Sequence, residues 1–162
     1  MLTIKQFIVA KTTAGVLLYR FTNGPLEVFL VHPGGPFWAR KDLSAWSVPK
    51  GELNENEDAL EGAKREFQEE TSISIAGEFI ALKPVKGSNS KTIRIFAIEQ
   101  DVDPSQVKSN LFSMEWPAKS GKFKEFPEVD KGGWFTIDEA LGKINKSQVP
   151  ILEELNAILK NQ

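Results

Sequence analysis

Three glutamates and an arginine crowd one short stretch, Arg65-Glu66-Phe67-Gln68-Glu69-Glu70. On a helix, Glu66, Glu69 and Glu70 stand at i, i+3 and i+4 and share a face. Like charges at that spacing oppose the helix by about 0.2–0.5 kcal/mol per pair. Near a helix C-terminus the macrodipole disfavours them as well. A divalent cation reverses both penalties, because carboxylate oxygens are its preferred ligands. A solvated acidic face is the ordinary alternative for such a run. The hexapeptide alone leaves both open.

Composition narrows the chemistry. The chain of 162 residues holds one histidine, His32, and no cysteine, so multi-histidine and thiolate metal sites are excluded. Metal chemistry here must run on carboxylates, which points to a hard cation such as Mg²⁺ or Mn²⁺. Cysteine-free composition also excludes disulfides and fits a reducing, cytoplasmic setting. With 20 basic and 22 acidic side chains the net charge is −2, without the basic excess that marks a partner of nucleic-acid polymers. No apolar run approaches membrane-spanning length, and the start, Met1 to Ile8, reads as an alternating first strand rather than a secretory signal. Length and the lack of repeats or linker-like stretches suit one domain over residues 1–162.

The elements around the acidic stretch are legible from periodicity. Thr13 to Tyr19 and Leu26 to Val31 read as strands joined through Thr22-Asn23-Gly24-Pro25, a hairpin turn. Pro33-Gly34-Gly35-Pro36 opens a loop to about Leu43, and a short strand is expected at Trp46 to Val48. Asn54 with Glu57 three residues on has the form of a capping box, and Leu60, Ala63 and Phe67 form an apolar helical stripe. Ile73 to Leu82, Thr92 to Gln100, Leu111 to Trp116 and Gly133 to Phe135 read as strands; 83–90 and 124–130 read as loops. A capping box at Thr136-Ile137-Asp138-Glu139 opens one short helix, and Ser147 to Lys160 forms another. The expected fold is α+β: a mixed sheet with helices on both faces, an α/β/α sandwich.

Widening the window around the glutamates changes their meaning. Gly51, Glu57 and Arg65-Glu66-Phe67-Gln68-Glu69-Glu70-Thr71-Ser72-Ile73 together resemble the Nudix box, G-x5-E-x7-R-E-U-x-E-E-x-G-U, U being a bulky apolar residue. Every charged position matches. Ser72 replaces the last glycine, at a helix end where positive φ is common, and costs about 1 kcal/mol if φ stays positive.

The resemblance implies the Nudix fold and Mg²⁺-dependent hydrolysis of a phosphoanhydride in a nucleoside diphosphate linked to another group. Glu66, Glu69 and Glu70, with the carbonyl of Gly51, would hold the metal. Arg65 would orient Glu66 or a neighbouring carboxylate, and Glu57 would support the loop–helix–loop shape or a second metal. The general base lies in the box, at Glu66 or Glu69, or in the downstream loop, at Glu125 or Glu128. Lys50, Lys83 and Arg94 are candidates for the substrate's phosphates, with Lys86 and Lys91 adding charge nearby. Trp38 is a candidate for stacking on a base, whereas Trp46 and His32 read better as core and structural residues.

Subgroup markers leave the substrate open. The Trp46-Ser47-Val48-Pro49-Lys50-Gly51 lead-in resembles members acting on diadenosine polyphosphates, yet Asn89, Ser90 and Lys91 occupy the window where those carry a tyrosine. Pro84 comes too early for the ADP-ribose type, and the coenzyme A motif is not found. Nucleoside triphosphates and dinucleoside polyphosphates therefore lead. A catalytically silent nucleotide-binding or regulatory module is the alternative, though no box carboxylate has been lost. The family's isomerase chemistry needs a cysteine this chain lacks. Either a monomer or a homodimer is compatible with the sequence.

Overall fold

The first described strand, β1 (Thr12–Phe21), is buried along nearly its whole length, which requires cover on both faces. The computed structural model describes residues 11–161; the strand expected at residues 1–8 lies outside them. Alternation along β1 sends Ala14, Val16 and Leu18 into one apolar cluster and Leu17 and Tyr19 into the other.

β2 (Leu26–Pro33) returns antiparallel from the expected turn, but its pairing with β1 runs only from Tyr19↔Val28 to Phe21↔Leu26. Past that point the two strands diverge, and residues 46–49 fill the opening. Val31 exchanges backbone hydrogen bonds with Ser47, and Val16 N–H donates to the Pro49 carbonyl at 3.2 Å. Trp46–Val48 is thus held by isolated bridges rather than forming a strand. β3 (Lys50–Glu52) then pairs with the start of β1, Ala14 opposite Gly51. Gly15 permits the approach: a Cβ there would lie 2.1 Å from the Pro49 oxygen.

α1 (Ala59–Thr71) follows. Its N-cap is Asp58, whose carboxylate accepts from Glu61 N–H at 3.1 Å. The Asn54–Glu57 pair expected to cap the helix closes the turn before it, Asn54 N–H donating to Glu57 at 2.9 Å. Ala63 and Phe67 are fully buried, and with Leu60 they pack on the Ala14–Leu18 face of β1. The helix ends at Ser72 in the left-handed conformation, φ 64°, with its N–H on the Gln68 carbonyl. Its hydroxyl donates to the Lys108 carbonyl, a bond glycine could not make.

Beyond the helix, only β4 (Ile80–Ala81) of the expected 73–82 strand forms. Ile73, Ile75 and Phe79 reach the same cluster from irregular chain, interrupted by Gly77 at φ 142°. β5 (Val85–Lys86) pairs with β6 (Thr92–Glu99) inside the expected 83–90 loop. β6 runs parallel to β1 over eight residue pairs, from Thr12↔Thr92 to Tyr19↔Glu99.

β7 (Leu111–Glu115) and β8 (Phe123–Pro127) form a separate two-stranded sheet. This overturns the loop expected at 124–130, where exposed Lys124 and Glu125 mask the strand pattern. β9 (Val129–Thr136) closes the main seven-stranded sheet, ordered β4-β6-β1-β2-β9 with β3 on β1 and β5 on β6. α2 (Ile137–Lys143) opens with the expected capping box of Thr136 and Glu139. A 3₁₀ turn at Lys146–Gln148 leads into α3 (Val149–Lys160), two residues later than periodicity suggests, with Pro150 in its first turn. α2 and α3 cover the Leu17–Leu30 face through Ala140, Ile151, Leu152 and Leu155. The result is the expected mixed sheet between helical layers. Among the described residues, no helix is long and apolar enough to cross a membrane.

Candidate active site

Filling the gap between β1 and β2 delivers Lys50 and Gly51 to the last turns of α1, where the box carboxylates stand. Arg65 organises them. Its Nε and Nη2 grip both oxygens of Glu57 at 2.9 Å, the bidentate geometry a guanidinium favours. Nη1 donates to Glu66 at 2.9 Å and to Glu69 at 3.1 Å, and Nη2 also reaches the Glu52 carbonyl at 3.2 Å. One side chain therefore holds three carboxylates and the end of β3. This fork and the Asn54 N–H hold the Glu57 carboxyl down at about 2; the carboxylates in turn raise Arg65.

Glu66 turns away from solvent against β3. A Cβ on Gly51 would lie 1.9 Å from Glu66 Oε2, so only glycine leaves that carboxylate its place. Burial raises the Glu66 pKa, against the pull of Arg65. Glu70 sits deeper. Burial, then repulsion from Glu66 and, more weakly, from Glu128, pushes its pKa up to about 8; Lys50 opposes the rise. Lys50 is itself lowered by burial, with Glu70 pulling the other way. Glu70, Lys50 and Glu128 line one small pocket with Val31, Ser47 and Val129.

Next to that pocket lies a cavity of about 390 Å³ walled by Gly35, Phe37, Trp38, Phe112, Met114 and Glu128. Pro33 and Glu128 belong to both. Trp38 meets Phe37 edge-on at 5.1 Å, and Lys41 Nζ stands 3.6 Å over the Phe37 ring. The loop carrying them is tied down by His32, which is 2% exposed. Its Nε2 lies 2.6 Å from the Lys41 carbonyl and its Nδ1 3.0 Å from Asp130. This is the setting of a structural histidine. Trp46, 5% exposed and bonded to Asp42 at 2.8 Å, belongs to the core as expected.

Of the candidate residues, the structure brings Gly51, Arg65, Glu66, Glu69, Glu70, Lys50 and Glu128 together, with Trp38 alongside. Three others line neither of these cavities. Glu125 is exposed on β8 opposite Ser113. Lys83 is anchored by its backbone N–H to Glu154 of α3 at 2.8 Å. Arg94 is exposed on β6, its guanidinium 5.9 Å from the Phe96 ring centroid. Phe112 and Met114 were not singled out from sequence. Their alternation on β7 was visible, but nothing local places that strand against the 34–38 loop.

Glu66, Glu69 and Glu70 offer carboxylate oxygen, the donor type of a hard cation, beside the cations Lys50 and Arg65. Among the described residues, no three carboxylates or imidazoles are already drawn together as a cation cage. Both Arg65 bonds to Glu66 and Glu69 fall on Oε1, which leaves each Oε2 outside the fork.

Residues 10–155 match the model of the NUDIX domain. This chain belongs to the Nudix family. Solved Nudix structures share its fold at low identity. One is a Caenorhabditis elegans Ap4A hydrolase in a binary complex, 19% identical, with TM-score 0.64 over 93% of this chain and 100% of that one. Another is the NUDIX domain of Shewanella oneidensis NrtR complexed with ADP ribose, 15% identical, with TM-score 0.66 over 98% and 94%. A third is a mutT/nudix family protein of Listeria innocua, 20% identical, with TM-score 0.61 over 93% and 94%. At these identities the likeness carries the fold. The Nudix box of this domain spans β3, α1 and the Ser72 turn.

Proposed function

We propose that this Nudix domain hydrolyses a phosphoanhydride bond in a nucleotide, using Mg²⁺ or Mn²⁺ held by Glu66, Glu69, Glu70 and the Gly51 carbonyl. The observation that carries the reading is the meeting of Glu70 and Glu128 at one half-buried pocket, with the Glu66 charge beside Glu70 and an aromatic cavity sharing the pocket's wall. Carboxylates buried at such cost are the chemistry of a site built for a cation.

When bound, the metal would supply neutralisation of phosphate charge and a lowered pKa for an attacking water. The protein's own groups divide the remaining tasks. Arg65 fixes Glu66 and Glu69, so their orientation is set before substrate arrives. Glu128, at the mouth shared by pocket and cavity, is placed to accept the water's proton. Lys50 faces the same pocket and would hold a phosphate oxygen. Trp38 and Phe112 offer flat apolar surface for the aromatic part of the substrate. The fold neighbours that act on Ap4A or were solved with ADP ribose make dinucleoside polyphosphates and ADP-ribose natural members of a test panel.

The test is a panel of nucleoside triphosphates, dinucleoside polyphosphates, ADP-ribose and nucleotide sugars, with and without Mg²⁺, products resolved by chromatography. Metal-dependent cleavage of one class, lost in Glu66→Gln, is the expected result. Nucleotide binding with no turnover across the panel would sink the hydrolase and identify a binding module.

A further inference from the structure

On the α3 side of the sheet, beyond Lys50, lies a second polar cavity of about 160 Å³, lined chiefly by Lys50, Ser88, Lys91, Asn145, Ser147 and Gln148. Its lining contains two lysines and, among the described residues, no carboxylate. The contrast with the acidic pocket is direct, yet Lys50 lines both. The Lys91 ammonium is close enough to repel that of Lys50, and it pairs with Glu52 at 3.1 Å.

The walls are held in place. Buried Gln148 accepts from Val48 N–H at 3.0 Å and donates to the Ser47 hydroxyl at 3.0 Å, which fixes the segment leading into Lys50. Asn145 accepts from both the backbone N–H and the hydroxyl of Ser147. Two cations facing one small polar cavity with fixed walls are arranged for an anion.

Three adjoining cavities therefore form a series. The aromatic one meets the acidic one at Pro33 and Glu128, and the acidic one meets the basic one at Lys50. We propose that the basic cavity is a phosphate subsite, which holds a phosphate group of the substrate beyond the anhydride under attack. The inference rests on the hydrolase reading and deepens it. The substrate lies with its aromatic head between Trp38 and Phe112, its scissile anhydride at the acidic pocket and an outer phosphate at Lys91. A chain of three or more phosphates fills the series; a two-phosphate compound such as ADP-ribose leaves the last cavity without its ligand.

The decisive variants are Lys91→Gln, which removes the cation, and Glu52→Gln, which removes its ion-pair partner but keeps the charge. Binding of inorganic tripolyphosphate, measured calorimetrically in EDTA, is expected to weaken about tenfold in Lys91→Gln, equivalent to about 1.4 kcal/mol, and to hold or tighten in Glu52→Gln. In kinetics, Lys91→Gln raises KM for triphosphates and dinucleoside tetraphosphates with little change in kcat, and leaves ADP-ribose untouched. Equal effects on ADP-ribose, or tripolyphosphate affinity indifferent to Lys91→Gln, overturn the subsite. Lys91-dependent tripolyphosphate binding without turnover of any nucleotide supports the subsite while removing the hydrolase.

Discussion

Arg65 reaches Glu57, Glu66 and Glu69 at once because a guanidinium offers five donors in a planar fork. Lysine keeps the charge and loses the fork. Arg65→Lys is therefore expected to cut kcat about a hundredfold, the order of loss for a misplaced catalytic group, and steady-state kinetics beside a circular-dichroism melt measures both effects. Glu70 makes a different prediction. Its folded pKa of about 8 lies above its ordinary value of 4.5, so between those pH values the native state binds the extra proton. Metal-free stability must then fall as pH rises through that window, by up to about 1.4 kcal/mol per pH unit. Urea titrations across pH check the slope, which Glu70→Gln should flatten. Mg²⁺ binding below pH 8 should also release protons, readable in a weakly buffered titration.

Among the elements, α1 carries most of the site, and its two anchors are separable. Phe67, fully buried against β1 and β6, holds the helix to the sheet; Phe67→Ala should cost about 3–5 kcal/mol in urea unfolding. Ser72 sets the exit. Glycine there would relieve about 1 kcal/mol of left-handed strain but forfeit the hydroxyl bond to Lys108, worth about 1 kcal/mol. Ser72→Gly is thus expected to be near neutral, whereas Ser72→Ala keeps the strain, loses the bond and destabilises by about 1 kcal/mol. Thermal melts of the pair separate the two terms.

At the scale of the molecule, the site is a meeting of distant segments. The 46–52 segment enters where β1 and β2 part, the β7–β8 hairpin leans Phe112 and Met114 over the 34–38 loop, and Glu128 stands between hairpin and sheet. The hairpin should therefore govern binding rather than chemistry. Phe112→Ala is expected to raise KM about tenfold or more, in line with loss of a buried aromatic contact, with kcat nearly unchanged. A fall in kcat at constant KM would give the hairpin a different role.

The box was readable in the chain because it is local. Helical spacing alone puts Arg65, Glu66, Glu69 and Glu70 on adjoining turns, and apolar periodicity places Phe67 toward a sheet. Where contacts join segments far apart, sequence was silent or misleading. Choosing Glu128 over Glu125 depends on which end of the hairpin meets β2 and α1. Lys83 and Arg94 carry the right charge, but neither lines any of the three cavities. The alternating Ile73, Ile75 and Phe79 pack as a loop because burial asks only for apolar contact, not a strand. The helix start moved from Asn54 to Asp58 because the Arg65 fork holds Glu57 in the preceding turn. Residue identity thus determined the metal-suited helix face, while the three-cavity series around it exists only once loop, hairpin and sheet pack together.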